Sequence, residues 1–322
     1  MAMTSKERVL RAIHFEKPDR VPFNFWMDRR RMDGFDARYG EPFRVTHFGA
    51  DLIEHVMPIP FPRAVHEERS GTQWMVKEAF DSWDESAGLA LPDPDDPAIY
   101  EGIEADLKRF PDHAVLADMP NVLTMIEAMI RQERFYMDML THTDAVKAFF
   151  HRLSDVMAAV ADRVCRMDIT ALYVMDDIAY NRGLLMSPEH VREIVLPHWK
   201  KVIDVGHAHG KPVFFHTDGK IDALWDVFAD ELGVRMLNPM QPDLQSVADF
   251  KRGYHGRTGI YGGLDTGKIH TMRPEQVRKH VFSLFENAGT GGGLIMSTHD
   301  IDYGVSDETL GAMIAAIKEC VY

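Results

Sequence analysis

Residues 212–219 read PVFFHTDG, an apolar run that stops at a histidine and an aspartate. A short apolar run bounded by proline and glycine is typical of a buried strand. A helix precedes this strand, with Ser187 as its N-cap, Pro188 at its first position and Gly210 as its stop. Before that helix, residues 171–175 (ALYVM) form another apolar strand. Strand, helix and strand in this order predict a parallel βαβ unit.

The same alternation continues on both sides of this unit. Strands are predicted to start near residues 21, 114, 171, 212, 234, 259 and 293, with one more hidden in residues 45–80. Eight strands alternating with helices favour a closed (β/α)8 TIM barrel over an open doubly wound sheet. The dinucleotide-binding alternative is weakened further because no Gly-x-Gly-x-x-Gly motif follows the first strand. We therefore expect a single α/β barrel domain over residues 1–322.

Residues 41–112 do not follow this rhythm. Gln73 to Phe80 is predicted to be one strand of a hairpin, with Ser70-Gly71 as its turn. Residues 92–97 form an acidic, turn-rich loop. We interpret this region as an N-terminal elaboration of the barrel rather than a separate domain.

Composition excludes several classes of partner. The chain has 322 residues, a net charge of −14 and two cysteines. Because an acidic surface repels phosphates and anionic lipids, we expect neither nucleic acid nor a membrane as partner. Two cysteines support no disulfide framework and no cysteine zinc site, and the first residues lack the apolar centre of a signal peptide. These features predict a cytoplasmic protein.

Polar residues follow the ends of the apolar strands. They are Asp118, Asp176, Asp177, His216, Asp218, Asn238, Gln241, Asp265, His299 and Asp300. In a parallel barrel the carboxyl ends of all strands meet at one rim, where barrel enzymes build their sites. Any single aspartate in this position could instead cap the next helix. Several together favour a functional pocket for a small molecule.

His216-x-Asp218 is the sharpest local signal. Residues two apart in an extended segment point to the same side, so the imidazole and the carboxylate could bind one ion or one substrate group. His299, after the last strand, could add a third ligand. Two histidines and one carboxylate suit zinc or another divalent metal. Direct hydrogen bonding to an organic substrate is the alternative.

Other residues at this rim are candidates for catalysis and substrate binding. Asp177 follows a buried strand, and partial desolvation would make it a general acid or base; alternatively it anchors its loop by hydrogen bonds. His299 is the second catalytic candidate. The residues expected to contact substrate are Asn24, Trp26, Tyr180, Asn238, Gln241 and Asp265.

These motifs, taken together, resemble the uroporphyrinogen decarboxylase-like superfamily. The matching stretches are Lys6–Leu10, Pro18–Pro22, Asp176–Ile178, Ser187–Glu189, His207–Gly210, His216–Gly219, Gly262–Asp265 and Ser297–Asp300. The fold of that superfamily is a (β/α)8 barrel, which agrees with the strand count.

The decarboxylase branch of the superfamily carries an Arg-Gln-Ala-Gly-Arg loop after the first strand, which binds the carboxylates of the porphyrinogen. Here residues 26–31 read WMDRRR, which contains three arginines but not the motif. This departure disfavours haem-pathway decarboxylation. His299 does fall where the decarboxylases have their C-terminal histidine.

The other branch comprises corrinoid-linked methyltransferases, whose zinc site is His-x-Cys plus a cysteine after the last strand. This sequence is similar in position, with His216-x-Asp218 and His299. The resemblance implies a divalent metal, with zinc expected, and a corrinoid carried by a partner protein. Because nitrogen and oxygen ligands make a harder site, it would polarise an oxygen, as in a methyl ether. A metal-independent decarboxylase and a non-catalytic corrinoid- or tetrapyrrole-binding barrel are the alternatives.

Overall fold

Parallel strands form a curled seven-stranded sheet in the computed structural model, which describes residues 3–69, 72–301 and 304–322. The strands of the described part are β1 (Trp26–Met27), β2 (Leu52–Val56), β3 (Val65–Arg69), β4 (Thr72–Lys77), β5 (Ala114–Pro120), β6 (Ala171–Met175), β7 (Ala179–Tyr180), β8 (Gly183–Leu184), β9 (Val213–His216), β10 (Met236–Asn238), β11 (Gly259–Gly263), β12 (Leu294–Ser297) and β13 (Asp300–Ile301). The order across the sheet is β12-β11-β10-β9-β6-β5-β2.

Helices lie between these strands. They are α1 (Ser5–Ile13), α2 (Arg29–Tyr39), α3 (Phe43–Thr46), α4 (Trp83–Ser86), α5 (Glu101–Arg109), α6 (Val122–Glu127), α7 (Gln132–Thr141), α8 (Thr143–Cys165), α9 (Pro188–His190), α10 (Leu196–Ala208), α11 (Val247–Tyr254), α12 (Thr266–Ile269), α13 (Pro274–Leu284) and α14 (Asp307–Glu319). Short 3-10 turns span Pro97–Ile99 and Asp222–Leu224, and π turns span Val191–Val195, Val227–Glu231 and Phe285–Gly289. No helix in the described ranges is long and apolar enough to cross a membrane.

The first predicted strand, near residue 21, closes the sheet into a ring, although it pairs irregularly. Phe23 forms a parallel bridge with Met296 of β12. On its other side, the carbonyl oxygen of Phe23 accepts a hydrogen bond of 2.9 Å from the amide of Asp51, just before β2. The strand predicted to be hidden in residues 45–80 is β2. With this segment, eight strands surround the barrel, and the predicted (β/α)8 barrel is confirmed.

Side chains along the barrel strands alternate between the interior and the surrounding helices. The lower interior is one buried apolar cluster, made of Val9, Ala12, Ile13, Leu52, Ala114, Leu116, Ala171, Tyr173, Phe214, Met236, Tyr261 and Ile295. Three of these residues come from α1, which therefore plugs the amino end of the barrel. Its first turn is held by a capping box between Thr4 and Glu7.

An ion-pair network joins α1 to the barrel wall. Asp51 is fully buried and accepts hydrogen bonds of 2.7 Å from both Arg8 and Arg20. Arg8 also pairs with Asp19 at 2.6 Å. A buried carboxylate needs such partners, because an unpaired buried charge is costly. Arg8, Asp19 and Arg20 of the N-terminal motifs are therefore structural. They lie at the amino end of the barrel, opposite the carboxyl ends of the strands.

The region 41–112 contains the predicted hairpin, formed by the antiparallel strands β3 and β4. Its predicted turn, Ser70-Gly71, lies outside the described residues. The hairpin rests on the barrel through backbone hydrogen bonds from Ala64 to Ala128 and from Ala79 to Met129, each 2.8 Å long.

A π turn, Val191–Val195, lies directly before α10, which carries Pro197 at its start. Proline lacks the amide hydrogen that would continue the α-helical pattern, and the π turn accommodates this loss without ending the helix.

Candidate active site

A cavity of about 290 Å³ opens at the carboxyl ends of the barrel strands. It is lined by Trp26, Glu54, Val56, Asp118, Tyr173, Met175, His216, Asn238, Thr298, His299 and Asp300. These residues come from seven separate segments of the chain. The barrel thus brings strand-end side chains together at one mouth, as parallel closure requires.

His216, Asp218 and His299 lie beside this cavity, and one ligand atom from each lies within 4.8 Å of the other two. His299 Nε2 is 3.0 Å from Asp218 Oδ2, and His216 Nε2 is 3.9 Å from Asp218 Oδ1. The Oδ1 atom is buried and has no hydrogen-bond partner among the described residues. A buried oxygen without a partner is costly unless a cation or a donor reaches it. The group therefore has the composition and spacing of a divalent metal site.

Asn238 fixes the tautomer of His216. The Nδ2 of Asn238 donates to the carbonyl oxygen of Tyr261 at 2.8 Å, so its Oδ1 must face the histidine. That Oδ1 lies 2.6 Å from Nδ1 of His216 and also accepts a hydrogen bond from the hydroxyl of Tyr173 at 2.8 Å. Since an amide oxygen only accepts, His216 carries its proton on Nδ1. The lone pair of Nε2 is left facing Asp218, where it is free to bind a metal.

Asp218 and His299 perturb each other. Burial raises the pKa of Asp218, but the hydrogen bond from His299 and the nearby His216 outweigh it and hold that pKa below its ordinary value. The same hydrogen bond raises the pKa of His299, against the opposing effect of burial. Without metal the two side chains form a proton-bridged pair, and a metal would bind there in competition with that proton.

Asp177 sits at the edge of this group. Its Oδ1 accepts a hydrogen bond of 2.8 Å from the amide of Asp218 and lies 3.9 Å from Nε2 of His216. Its side chain is 41% exposed, which leaves the other oxygen within reach of a substrate. The arrangement suits both predicted roles, loop anchor and proton carrier.

Asn24 and Trp26 lie where the first strand passes the cavity. Trp26 lines the cavity, whereas Asn24 is fully buried beneath it. The Nδ2 of Asn24 donates to Glu54 at 2.9 Å and to the hydroxyl of Tyr261 at 3.1 Å. Asn24 thus orients Glu54 rather than lining the cavity.

Three other predicted substrate contacts lie outside the cavity lining. Gln241 accepts a hydrogen bond of 2.7 Å from the amide of Gly219 and so holds the turn after Asp218. Asp265 is buried and caps α12 through the amide of Lys268. Tyr180 is 49% exposed in β7.

Three further residues belong to this site. Asp118, predicted only as one of the polar residues at the rim, lines the cavity with Glu54, and neither Glu54 nor Arg44 is singled out by the sequence. Burial raises the pKa of Glu54, and burial together with Glu54 raises that of Asp118 well above its usual range. Arg44 lies behind the cavity, 4.1 Å from the ring of Trp26, and its charge partly offsets the burial of Glu54. Strand alternation carries a signal for two of them, because Glu54 and Asp118 share the inward parity of Leu52 and Leu116.

Comparison with known proteins agrees with this fold. Residues 66–320 match the family model Uroporphyrinogen decarboxylase (URO-D). A uroporphyrinogen decarboxylase of Pseudoalteromonas translucida (strain TAC 125) is 26% identical over 145 residues, which cover 42% of this chain and 39% of that protein. The structure of a methyltransferase from Methanosarcina mazei superposes with a TM-score of 0.76 and 16% identity, over 98% of this chain and 99% of that chain. At this identity the likeness shows a shared fold.

Fold and cavity together define a (β/α)8-barrel protein whose candidate site lies at the carboxyl ends of its strands. The family match covers more than half of the chain, and the chain therefore belongs to the uroporphyrinogen decarboxylase (URO-D) family.

Proposed function

We propose that this protein is a cytoplasmic methyltransferase. It moves a methyl group between a small substrate and a corrinoid carried by a partner protein, with a divalent metal bound by His216, Asp218 and His299. The observation that carries this proposal is the clustering of the three ligands. One ligand atom from each lies within 4.8 Å of the other two, and the Oδ1 of Asp218 has no hydrogen-bond partner among the described residues. The methyltransferase from Methanosarcina mazei, with its similar fold, supports it.

The ligand set favours zinc and an oxygen-bearing substrate. A zinc ion bound there would supply a Lewis acid for the oxygen that carries the methyl group, as in a methyl ether. Asn238 holds His216 in the tautomer that can bind the metal. Asp177, at the edge of the group, would hold or accept a proton during the reaction.

A metal-independent decarboxylase is the second candidate. The similarity to the uroporphyrinogen decarboxylase of Pseudoalteromonas translucida supports it. So do the raised pKa values of Asp118 and His299, because they would make both side chains proton donors. Two observations count against a tetrapyrrole substrate. The cavity of about 290 Å³ is small by the usual range of ligand pockets. None of the arginines of the described residues lines it, and Arg31 is instead bound to Asp307.

Metal analysis of the purified protein tests the proposal. We expect about one equivalent of zinc in the wild type and loss of most of it in His216→Ala. Methylation of a reduced corrinoid by methyl ethers, followed by its absorption spectrum, then tests the reaction. Release of carbon dioxide from uroporphyrinogen by metal-free protein would overturn the proposal in favour of the decarboxylase. Tight corrinoid binding without turnover would identify the non-catalytic barrel.

A further inference from the structure

We propose that the inner end of the cavity binds the cationic group of the substrate through the carboxyl group of Asp118. This inference rests on the proposed function, because it names the substrate class for that reaction. The substrate would carry an ammonium group or a similar small cation at one end. Its methyl-bearing oxygen would lie at the other end, against His216 and His299.

The first observation is the charge of the cavity wall. Three carboxyl groups line it, those of Glu54, Asp118 and Asp300, and the lining drawn from the described residues includes neither lysine nor arginine. Burial raises the pKa of Glu54 and of Asp118, so it disfavours the charged form of both carboxyl groups. A cation that entered this wall would favour the ionised carboxylate, because low-dielectric surroundings strengthen the attraction between them, whereas an anion would not. We therefore expect the cavity to prefer cationic over anionic substrates.

The second observation is the unequal pairing of the two inner carboxyl groups. Glu54 accepts a hydrogen bond from Asn24 and is offset by the charge of Arg44. Asp118 is only 2% exposed, yet no described residue donates a hydrogen bond to its carboxyl group or offers it a positive charge. Buried carboxyl groups are normally paired. Among the described residues, Asp118 thus has no partner for its carboxyl group, while it lines a cavity that a substrate can enter.

The third observation is the apolar part of the same wall. Val56, Met175 and the rings of Trp26 and Tyr173 line the same cavity as this carboxyl group. An alkylammonium ion has both surfaces that this wall would accept, namely a positive charge for Asp118 and methylene groups for the apolar residues. Aromatic rings add a favourable interaction with a cation. A carboxylate or phosphate of the same size would gain only the apolar contacts and would be repelled.

Three small ethers of nearly equal size and different charge test this inference. They are methoxyethylammonium, methoxyethanol and methoxyacetate, and their binding is measured by calorimetry with zinc-loaded protein and with chelator-treated protein. We expect the cation to bind about tenfold more tightly than the neutral ether, and the anion to bind most weakly. Equal binding of cation and neutral ether would overturn the inference. So would preferential binding of methoxyacetate, which would instead make Asp118 a neutral hydrogen-bond donor.

Asp118→Asn locates the preference. The amide keeps the size of the side chain and removes its ability to ionise, so the cation should lose its tenfold advantage while the neutral ether binds as before. Asp300→Asn is the comparison variant. Asp300 lines the same cavity at its exposed rim, where solvent and salt screen its charge, so the cation should keep most of its advantage there. A cation preference that survives Asp118→Asn would overturn the assignment, and the wild-type series stands even if that variant fails to fold. If the wild-type protein binds no zinc when zinc is supplied and transfers no methyl group, yet still prefers the cation, the proposed function fails and this inference holds.

Discussion

The side-chain oxygen of Asn238 lies 2.6 Å from Nδ1 of His216, so an asparagine on β10 sets the tautomer of a histidine on the neighbouring strand β9. The register places these two residues directly opposite each other at the ends of β9 and β10. The asparagine is itself fixed by the backbone of Tyr261 on the following strand. Three neighbouring strands thus cooperate to present a single nitrogen lone pair.

Asn238→Leu should weaken zinc binding by about 10- to 100-fold, because it removes the acceptor that holds the proton on Nδ1 of His216. Competition with a chelator measures the affinity. Asn238→Asp keeps an acceptor in the same place and should retain much tighter binding than Asn238→Leu. Equal affinities for the wild type and Asn238→Leu would show that the tautomer does not control the site.

Asp218→Asn should lower the zinc affinity more than tenfold, because a neutral amide replaces the only carboxylate among the three candidate ligands. Asp177→Asn is the matched control. Its carboxylate lies 3.9 Å from His216 Nε2 but outside the ligand group, so that variant should still bind stoichiometric zinc even if catalysis is impaired. Loss of zinc from Asp177→Asn alone would reassign the carboxylate ligand.

Asp176→Asn should lower the free energy of unfolding by about 2–3 kcal/mol, although the residue lies outside the cavity lining. The buried carboxyl group accepts hydrogen bonds from the amides of Leu123 and Thr124 and from the indole of Trp199. An asparagine would direct its own N–H groups at one of these donors. Urea denaturation measures the change. Asp168→Asn, in an exposed ion pair, should change stability by less than about 1 kcal/mol.

Gly262→Ala should prevent folding or destabilise the barrel severely. The φ of Gly262 is 137°, and a Cβ there would overlap the carbonyl oxygen of Pro239. Gly253→Ala, in the exposed part of α11 with no atom near the added Cβ, should stabilise by about 0.5–1 kcal/mol. Thermal unfolding followed by circular dichroism compares the two variants. A Gly262→Ala protein with wild-type stability would contradict the close contact between the backbones of Gly262 and Pro239.

Acidification should destabilise the protein partly through His198. Burial, followed by the nearby His151 and Lys201, lowers the pKa of His198 to about 4. Below pH 6.5 the unfolded chain takes up a proton that the folded protein accepts only near pH 4. Stability contributed by neutral His198 is therefore complete above pH 6.5 and is lost as the pH falls through about 4, by about 3 kcal/mol in total.

The contribution of His198 is obtained as a difference between proteins. His198→Gln should lose less stability than the wild type between pH 6.5 and pH 4 in urea titrations. His14→Gln, at an exposed position, should follow the wild-type curve. Parallel curves for the wild type and His198→Gln would contradict the prediction.

The barrel could be predicted because its strands are short apolar runs separated by clear helix signals. Strand alternation then predicts more than strand ends do. His216 and Asn238 share the inward parity of Phe214 and Met236, and both line the cavity. Asp176 has the opposite parity to Tyr173, and its side chain points away from the cavity toward Trp199.

Other parts of the site could not be predicted, for physical reasons. Glu54 lies in β2, whose pattern LIEHV contains two polar residues and sits inside an irregular region. Arg44 reaches the cavity wall from the short helix α3 through tertiary packing alone. Asp265 and Gln241 follow strands, as residues that bind a substrate or a metal often do. Their side chains instead accept hydrogen bonds from backbone amides of loops and helix ends. Sequence spacing cannot distinguish these two uses of a polar side chain.

The segment that closes the ring is held from two sides. Arg20 forms a bridge with Val321, and the amide of Val21 donates to the carbonyl oxygen of Cys320 at 2.9 Å. A deletion from Cys320 onward would therefore remove one set of contacts that hold the first strand in the barrel. That strand leads directly to Asn24 and Trp26. Such a truncation would therefore alter ligand binding under conditions in which the rest of the barrel is still folded.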